Sequence, residues 1–476
     1  LTDDSAGDTL ATRPEFVIRR IAQPAGRLAC TLTLLIAWAA RPGILLSGDA
    51  AQPADVVFRH VRVVHGDGRV TRDATVIVRA GHVESISAGT AAPGPASHLP
   101  SRAHIDGTGK TLLPGLIDAH VRIEPWMLPR FFAMGVTTVR DLYTTNDDNV
   151  RLAAAGERHL PFIVASGPMI DAAGGGAGPT IPIETVGEAR AAVRRLVEAG
   201  SRVISVSPRL GPVMLSVVVS EARARGVPVA ARLGVTTATQ AADAGVTSIE
   251  QVSGVVESAS TDASALVAAH ANPAVGWTAA QLGWRRLPLQ RLEDVARELA
   301  GKGVVLVPTL AWHEAIFRLA DPDVASHPDL GHVPDGLPSG AWKPADVMAR
   351  AGWTPQTLSQ FRQAFPILQQ FVATFSRVGG RVVTGTGTGQ PYVVPGASLH
   401  RELELLVACG LSPGQAIKAA TADAADLLGV KDRSGTIDPG RSADFVLVDG
   451  NPLTDIRHTR RIVAVFRDGI SPGARY

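Results

Sequence analysis

From Val56 to Ile86 apolar and polar positions alternate with a period of two. The runs Val56-Val57-Phe58, Val61-Arg62-Val63-Val64 and Ala74-Thr75-Val76-Ile77-Val78 are separated by turn signals at Asp67-Gly68 and Gly81-His82. Successive side chains of a strand face opposite sides of a sheet, so this pattern predicts short antiparallel strands. The far end repeats it in Gly435-Thr436-Ile437, Ala443-Asp444-Phe445-Val446-Leu447-Val448 and Ile462-Val463-Ala464-Val465-Phe466. Two strand-rich ends around a long middle predict that both ends fold together as one small β-sandwich.

The middle alternates short apolar runs with helix-like stretches such as Val186 to Ala199 and Leu215 to Arg225, the pattern of parallel βα units. Strand ends are expected at His120, Asp141, Ser166, Ser205, Ala231, Glu250, Pro308 and Thr386. Eight such units predict an α/β fold, a (β/α)8 TIM-like barrel with its chemistry at the C-terminal ends of the strands. A doubly wound open sheet is the competing arrangement, but no glycine-rich nucleotide loop follows an early strand. Gly174-Gly175-Gly176 lacks the Lys-Ser/Thr of a phosphate loop and reads as a plain loop.

Composition adjusts this picture only a little. With 476 residues, 45% of them hydrophobic, the chain can fill a large barrel and an accessory domain. A net charge of +2, with no basic cluster interleaved with aromatics, gives no support for nucleic acid. Cationic charge is almost all arginine; the lysines are Lys110, Lys302, Lys343, Lys418 and Lys431. The two cysteines, Cys30 and Cys409, exclude a cysteine-built metal site. Arg19, Arg20 and Arg27 precede an apolar run from Leu28 to Ala40, and Gly48-Asp49-Ala50 follows. That order predicts an export signal cleaved near Ala50 and a periplasmic or secreted protein. Retention as a membrane anchor is the alternative, though Arg41-Pro42 interrupts the run and shortens it for a span.

Five motifs point further. They are Leu112-Leu113-Pro114-Gly115-Leu116-Ile117-Asp118-Ala119-His120; Gly135-Val136-Thr137-Thr138-Val139-Arg140-Asp141; and Ala241-Ala242-Asp243-Ala244-Gly245-Val246-Thr247-Ser248-Ile249-Glu250. The last two start at Pro395-Gly396-Ala397-Ser398-Leu399-His400 and at Ser434-Gly435-Thr436-Ile437-Asp438. Together they make residues 55 to 475 resemble the amidohydrolase superfamily, in its imidazolonepropionase-like and Xaa-Pro dipeptidase-like branch. The export signal read from the basic and apolar order takes 1–50; the resemblance implies a barrel over 114–433 and a composite β-sandwich from 51–113 with 434–476. It also implies a zinc-type divalent centre that activates water for hydrolysis of carbon–nitrogen bonds. In that family the centre is held by His-x-His on the first strand, a carboxylated lysine on the fourth, histidines on the fifth and sixth, and an aspartate on the eighth.

This chain departs from that set at five of six positions. His120 matches, but Arg122 stands for the second histidine, Ser205 for the lysine and Arg232 for the fifth-strand histidine. Gln251 and Gly387 replace the sixth-strand histidine and the aspartate. A guanidinium has no lone pair for a metal, and one imidazole does not hold a catalytic zinc. No metal or other cofactor is therefore expected. His120 with Glu124, Asp141 or Glu250 is the one carboxylate-rich alternative for a rebuilt site. His313, His327, His332 and His400 are expected in surface or capping roles.

Arg122 and Arg232, with His120, Ser205, Gln251 and Gly387, are expected to line a cationic substrate-binding pocket that takes a small anion. The competing expectation is that each arginine fills the vacated space and pairs with Asp141, Glu124 or Glu250. Three function classes follow: a pseudoenzyme or anion-binding protein, a carbon–nitrogen hydrolase with an atypical site, or a metal-free lyase or isomerase with His120 as base. No stable membrane span is expected after signal removal.

Overall fold

The structure, a computed structural model, describes residues 55–89, 103–142, 148–155, 160–174, 180–337 and 340–471. The expected export segment, Cys30 and the glycines at 175 and 176 lie outside the described residues. Five strands come first: β1 (Val56–Val64), β2 (Val70–Arg79), β3 (His82–Ala88), β4 (Ala103–Asp106) and β5 (Lys110–Pro114). The middle holds β6 (Leu116–Val121), β7 (Val136–Asp141), β8 (Phe162–Ala165), β9 (Met169–Ala172) and β10 (Thr180–Ile183). It continues with β11 (Ile204–Val206), β12 (Val229–Ala231), β13 (Ser248–Glu250), β14 (Val305–Val307) and β15 (Arg381–Val382). The last two are β16 (Phe445–Asp449) and β17 (Ile462–Phe466).

The two ends of the chain meet in one seven-stranded sheet, ordered β17-β16-β5-β1-β2-β3, with β4 also paired to β1. The runs at Val56 and Val61 form a single strand. A register shift between Phe58 and Val61, with His60 at φ 56°, makes a bulge between them. Gly435-Thr436-Ile437, expected as a strand, is not one. Gly435 has φ +98° and Pro439 follows closely, which suits a turn better than a ladder. Ile437 instead exchanges hydrogen bonds with His65: its N–H donates to the His65 carbonyl at 3.2 Å, and its carbonyl lies 2.6 Å from His65 Nδ1.

Alternation gives this sheet two jobs. Leu112, Phe445 and Leu447 share a core with Phe58 and Phe466. Their neighbours Leu113, Val446 and Val448 face the opposite way and join the core of the α/β body. Phe58 meets Phe445 and Phe466 edge-on, with ring centroids 6.1 and 5.3 Å apart.

In the α/β body every paired strand is parallel, in two ladders: β6-β7-β8 and β10-β9-β11-β12-β13-β14-β15. Backbone bonds run between the ladders on both sides. Arg202 N–H donates to the Ala165 carbonyl at 3.0 Å, while Ala119 and Arg122 N–H groups donate to Thr384 and Thr388 at 3.0 and 2.7 Å. Helices fill the connections. Val186–Glu198 starts with a reciprocal cap between Thr185 and Glu188 and buries Ala189, Ala192, Val193 and Leu196, the i, i+3, i+4, i+7 face. Among the described residues no helix is long and apolar enough to cross a membrane.

Because Phe58 packs β1 against Phe445 of β16 and Phe466 of β17, Phe58→Ala should destabilise the protein by about 3–5 kcal/mol in denaturant unfolding. A loss below about 1 kcal/mol would show that this small core does not unfold with the rest.

Candidate functional site

Polar residues two apart share one face of a strand, and here they converge inside the parallel strands. Glu250, at the end of β13, is fully buried. Its Oε1 accepts from Arg140 (2.7 Å) and Ser248 Oγ (2.5 Å), and its Oε2 lies 2.7 Å from His120 Nδ1. Arg140, also buried, donates further to the Ala119 carbonyl at 2.6 Å and to Ser248 Oγ at 3.2 Å. Three strands are thus tied through one carboxylate. Burial alone would raise the Glu250 carboxyl, but Arg140 and His120 hold it below the usual range. Burial lowers His120, and Arg140 and Arg232 add to this against the pull of Glu250. The imidazole is therefore neutral and donates its Nδ1–H to Glu250, which leaves Nε2 as the lone-pair nitrogen.

Asp118, two residues before His120, accepts from the Thr386 N–H (2.9 Å) and Thr386 Oγ1 (2.6 Å), joining β6 to the segment after β15. Asp141 accepts from the Ile123 N–H (3.0 Å) and Asn149 Nδ2 (3.1 Å).

His120, Arg122, Ser205, Arg232, Gln251 and Gly387 all line one cavity of about 270 Å³ at the C-terminal ends of the strands. Val121, Leu142, Met169, Pro208 and Pro273 supply its apolar wall. Gln251 and Val252 sit at φ 61° and 52°, a left-handed conformation costly for any residue but glycine. Gly387 has φ +77°, and a Cβ there would stand 3.0 Å from the Trp312 Cβ. The backbone at the position where the resemblance places an aspartate therefore favours glycine. Gly389, at φ +101°, lets the loop lie against Arg122, whose carbonyl oxygen would be 2.6 Å from an added Cβ.

The residues at the cavity do not fit the metal centre that the resemblance implies. Two guanidiniums, a hydroxyl, an amide and a glycine stand at five of the ligand positions, and the one imidazole has committed Nδ1 to Glu250. Among the described residues no group of three His, Cys, Asp or Glu side chains is arranged to hold a metal ion. Of the carboxylates offered for a rebuilt site, only Glu250 meets His120. Glu124 is exposed and accepts from Trp126 Nε1 at 2.9 Å, and Asp141 is turned to Ile123 and Asn149.

Two histidines expected at the surface or in caps are buried. His313 lies on the helix Leu310–Arg318 with Nε2 3.3 Å from the Gln251 carbonyl. His400 bridges Thr459 Oγ1 and the Met134 carbonyl at 2.9 and 3.0 Å. Apolar neighbours on both helices carry these rings inward, and burial pushes each down to about 4, so both are neutral. His327 does cap the short helix Pro328–His332.

Sequence reasoning missed Arg140 as a site residue, along with Asp118 and the cavity-lining pair Arg209–Asp171 (3.2 Å). The available signal was spacing: Asp118 with His120, Thr138 with Arg140, and Ser248 with Glu250 repeat a polar i, i+2 pair in strands that are buried along their length. A larger cavity of about 480 Å³ lies beside the helix Leu310–Arg318. Its charges are matched along a chain of ion pairs, Asp329–Arg460–Glu404–Arg401–Glu314, that clamps neighbouring elements together.

Comparison with known proteins adds ancestry to this geometry. The sequence profile of the amidohydrolase family matches residues 373–470. The N-acyl-D-aspartate deacylase of Alcaligenes xylosoxydans xylosoxydans is 29% identical over 119 residues, 24% of this chain and 22% of that protein. The imidazolonepropionase of Deinococcus deserti is 35% identical over 86 residues, 17% of this chain and 20% of that protein. The chain thus matches about a fifth of the length of these curated relatives. A solved structure from Bifidobacterium longum, assigned as a prolidase, superposes with a TM-score of 0.65 at 25% identity, covering 89% of this chain and 95% of that one.

Burial pushes Asp118 and Asp141 up to about 7 and Glu402 up to about 8. Glu402 accepts from the Leu310 and Ala311 N–H groups at 3.0 and 2.7 Å. Between pH ~4 and these values the folded state keeps protons that the unfolded chain has lost. These three groups therefore lower stability as pH rises through that window, and the loss levels off above it. Glu402→Gln should cost about 1–3 kcal/mol in hydrogen bonding yet lose less stability than the parent between pH 5 and 8. An unchanged slope in denaturant melts would contradict the assignment.

Proposed function

We propose that this chain, which belongs to the amidohydrolase superfamily, works without the family's metal and binds a small anion where the metal centre would be. The reading takes the two parallel ladders, bonded to each other on both sides, as one closed (β/α)8 barrel whose mouth is the 270 Å³ cavity. It takes the sheet built from both ends of the chain as the accessory domain packed against that barrel.

One observation carries the proposal. Two guanidiniums, Arg122 and Arg232, line the cavity at former ligand positions, while the deep carboxylate beneath it, Glu250, already accepts from Arg140, Ser248 and His120. Asp171, the acid on the cavity lining, is engaged by Arg209 and Ser207. Counted by residue, the lining holds three arginines, Arg122, Arg209 and Arg232, and one acid, Asp171, in a partly desolvated space, a composition that favours a carboxylate or phosphate. Ser205 and Gln251 add polar groups that can orient such a ligand, and His120 presents Nε2. On this reading the protein is a pseudoenzyme or ligand-binding protein on a hydrolase scaffold.

Hydrolysis of a carbon–nitrogen bond is the second reading. It draws on the relatives, named a deacylase and an imidazolonepropionase, and on the His120–Glu250 pair, which resembles an oriented base.

Calorimetric titration of acetate, succinate and inorganic phosphate into the purified protein tests the anion site. Binding is expected in the parent and should weaken by about tenfold or more when Arg122→Ala and Arg232→Ala are combined, the loss of charge-assisted hydrogen bonds. No heat of binding in the parent, or affinity unchanged in the double variant, would end the proposal.

A further inference from the structure

We propose that the anion is a dicarboxylate, a short molecule with one carboxylate taken by Arg122 and the other by Arg232. The inference rests on the anion-site reading and adds to it the number and spacing of the ligand's charges.

Strand order is the first argument. The eight principal parallel strands run β6, β7, β8, β11, β12, β13, β14, β15, with β9 beside β11 and β10 beyond β9. Arg122 follows the first of these and Arg232 the fifth. In a closed ring of eight, the first and fifth strands face each other across the mouth. A guanidinium fork uses both oxygens of one carboxylate. Two forks carried by opposite strands of such a ring and lining one cavity are matched by two carboxylates rather than one.

The surroundings of the two arginines agree. Arg122 is exposed and its charge acts on Asp141, whereas Arg232 is half-buried and its charge acts on His120. The two cations thus stand in different neighbourhoods. The third arginine of the lining, Arg209, is held by Asp171 and by the Gly174 carbonyl at 3.0 Å.

The space between completes the case. Leu142, Met169, Pro208 and Pro273 give the cavity an apolar wall suited to methylene groups. Its volume of about 270 Å³ lies just under the roughly 300–1,000 Å³ of drug-sized sites, so the ligand is small.

The test is calorimetry on the full chain with butyrate, malonate, succinate, glutarate and adipate at constant ionic strength. One dicarboxylate length should bind about tenfold or more tighter than butyrate, with shorter and longer ones weaker. The dicarboxylates carry equal charge at neutral pH, so a preference for one length separates two-point recognition from general attraction. Arg122→Ala and Arg232→Ala should each reduce that dicarboxylate to the level of butyrate. Arg122→Lys and Arg232→Lys, which keep the charge and lose the fork, should fall between. Thermal melts of all four variants verify folding, and the lysine pair decides the matter if an alanine variant does not fold. Butyrate binding as tightly as the best dicarboxylate, no dependence on length, or one dispensable arginine would overturn this inference and leave the anion site standing. No binding of any carboxylate would overturn both.

Discussion

A carboxylate buried among parallel strands must be matched by positive charge and hydrogen bonds, or it destabilises everything packed around it. Glu250 is that group. It is fully buried and collects Arg140 from β7, His120 from β6 and Ser248 from its own strand. Each partner is fixed in turn: Arg140 holds the Ala119 carbonyl, and the backbone around His120 is bonded to the segment after β15. The geometry of the cavity floor therefore follows from one carboxylate and its partners. Removing Arg140 alone would leave a buried negative charge, which typically costs about 3–5 kcal/mol.

The same network explains how the site can be stable without the centre its relatives imply. A metal site needs cations balanced by anionic and lone-pair ligands. Where the resemblance places anionic ligands this chain has Ser205 and Gly387, and where it places two of the imidazoles it has Arg122 and Arg232. On the proposed reading, side chains supply the positive charge that ions would supply there. The backbone has settled accordingly: Gly387 and Gly389 hold left-handed conformations that pack closely on Trp312 and Arg122, and Gln251 bears strain at φ 61°. Strain of this kind, about 1–3 kcal/mol per residue, persists where the surroundings over-determine the conformation.

Much of this was legible in the sequence because strands and helices announce themselves by period. The run from Leu116 to His120 gave a buried strand whose end reaches the cavity, and Val186 to Glu198 gave a helix with its cap. All six positions picked out by their flanking motifs line the same cavity. What escaped were properties that depend on neighbours from distant parts of the chain. Arg140 looks like an ordinary charge in a strand until β6 and β13 bring Ala119 and Glu250 to it. His313 and His400 look like surface residues until their helices turn them inward. Gly435-Thr436-Ile437 has an apolar residue where a strand would, yet its glycine and the nearby Pro439 make a turn that only His65 completes.

The central proposal is that arginine stands in for metal at this cavity, and elemental analysis tests it most directly. Protein purified without chelator, offered zinc, manganese and cobalt and then dialysed, should retain only substoichiometric transition metal, with no difference between the parent and His120→Ala. One or two equivalents of metal retained by the parent and lost in His120→Ala would contradict the account.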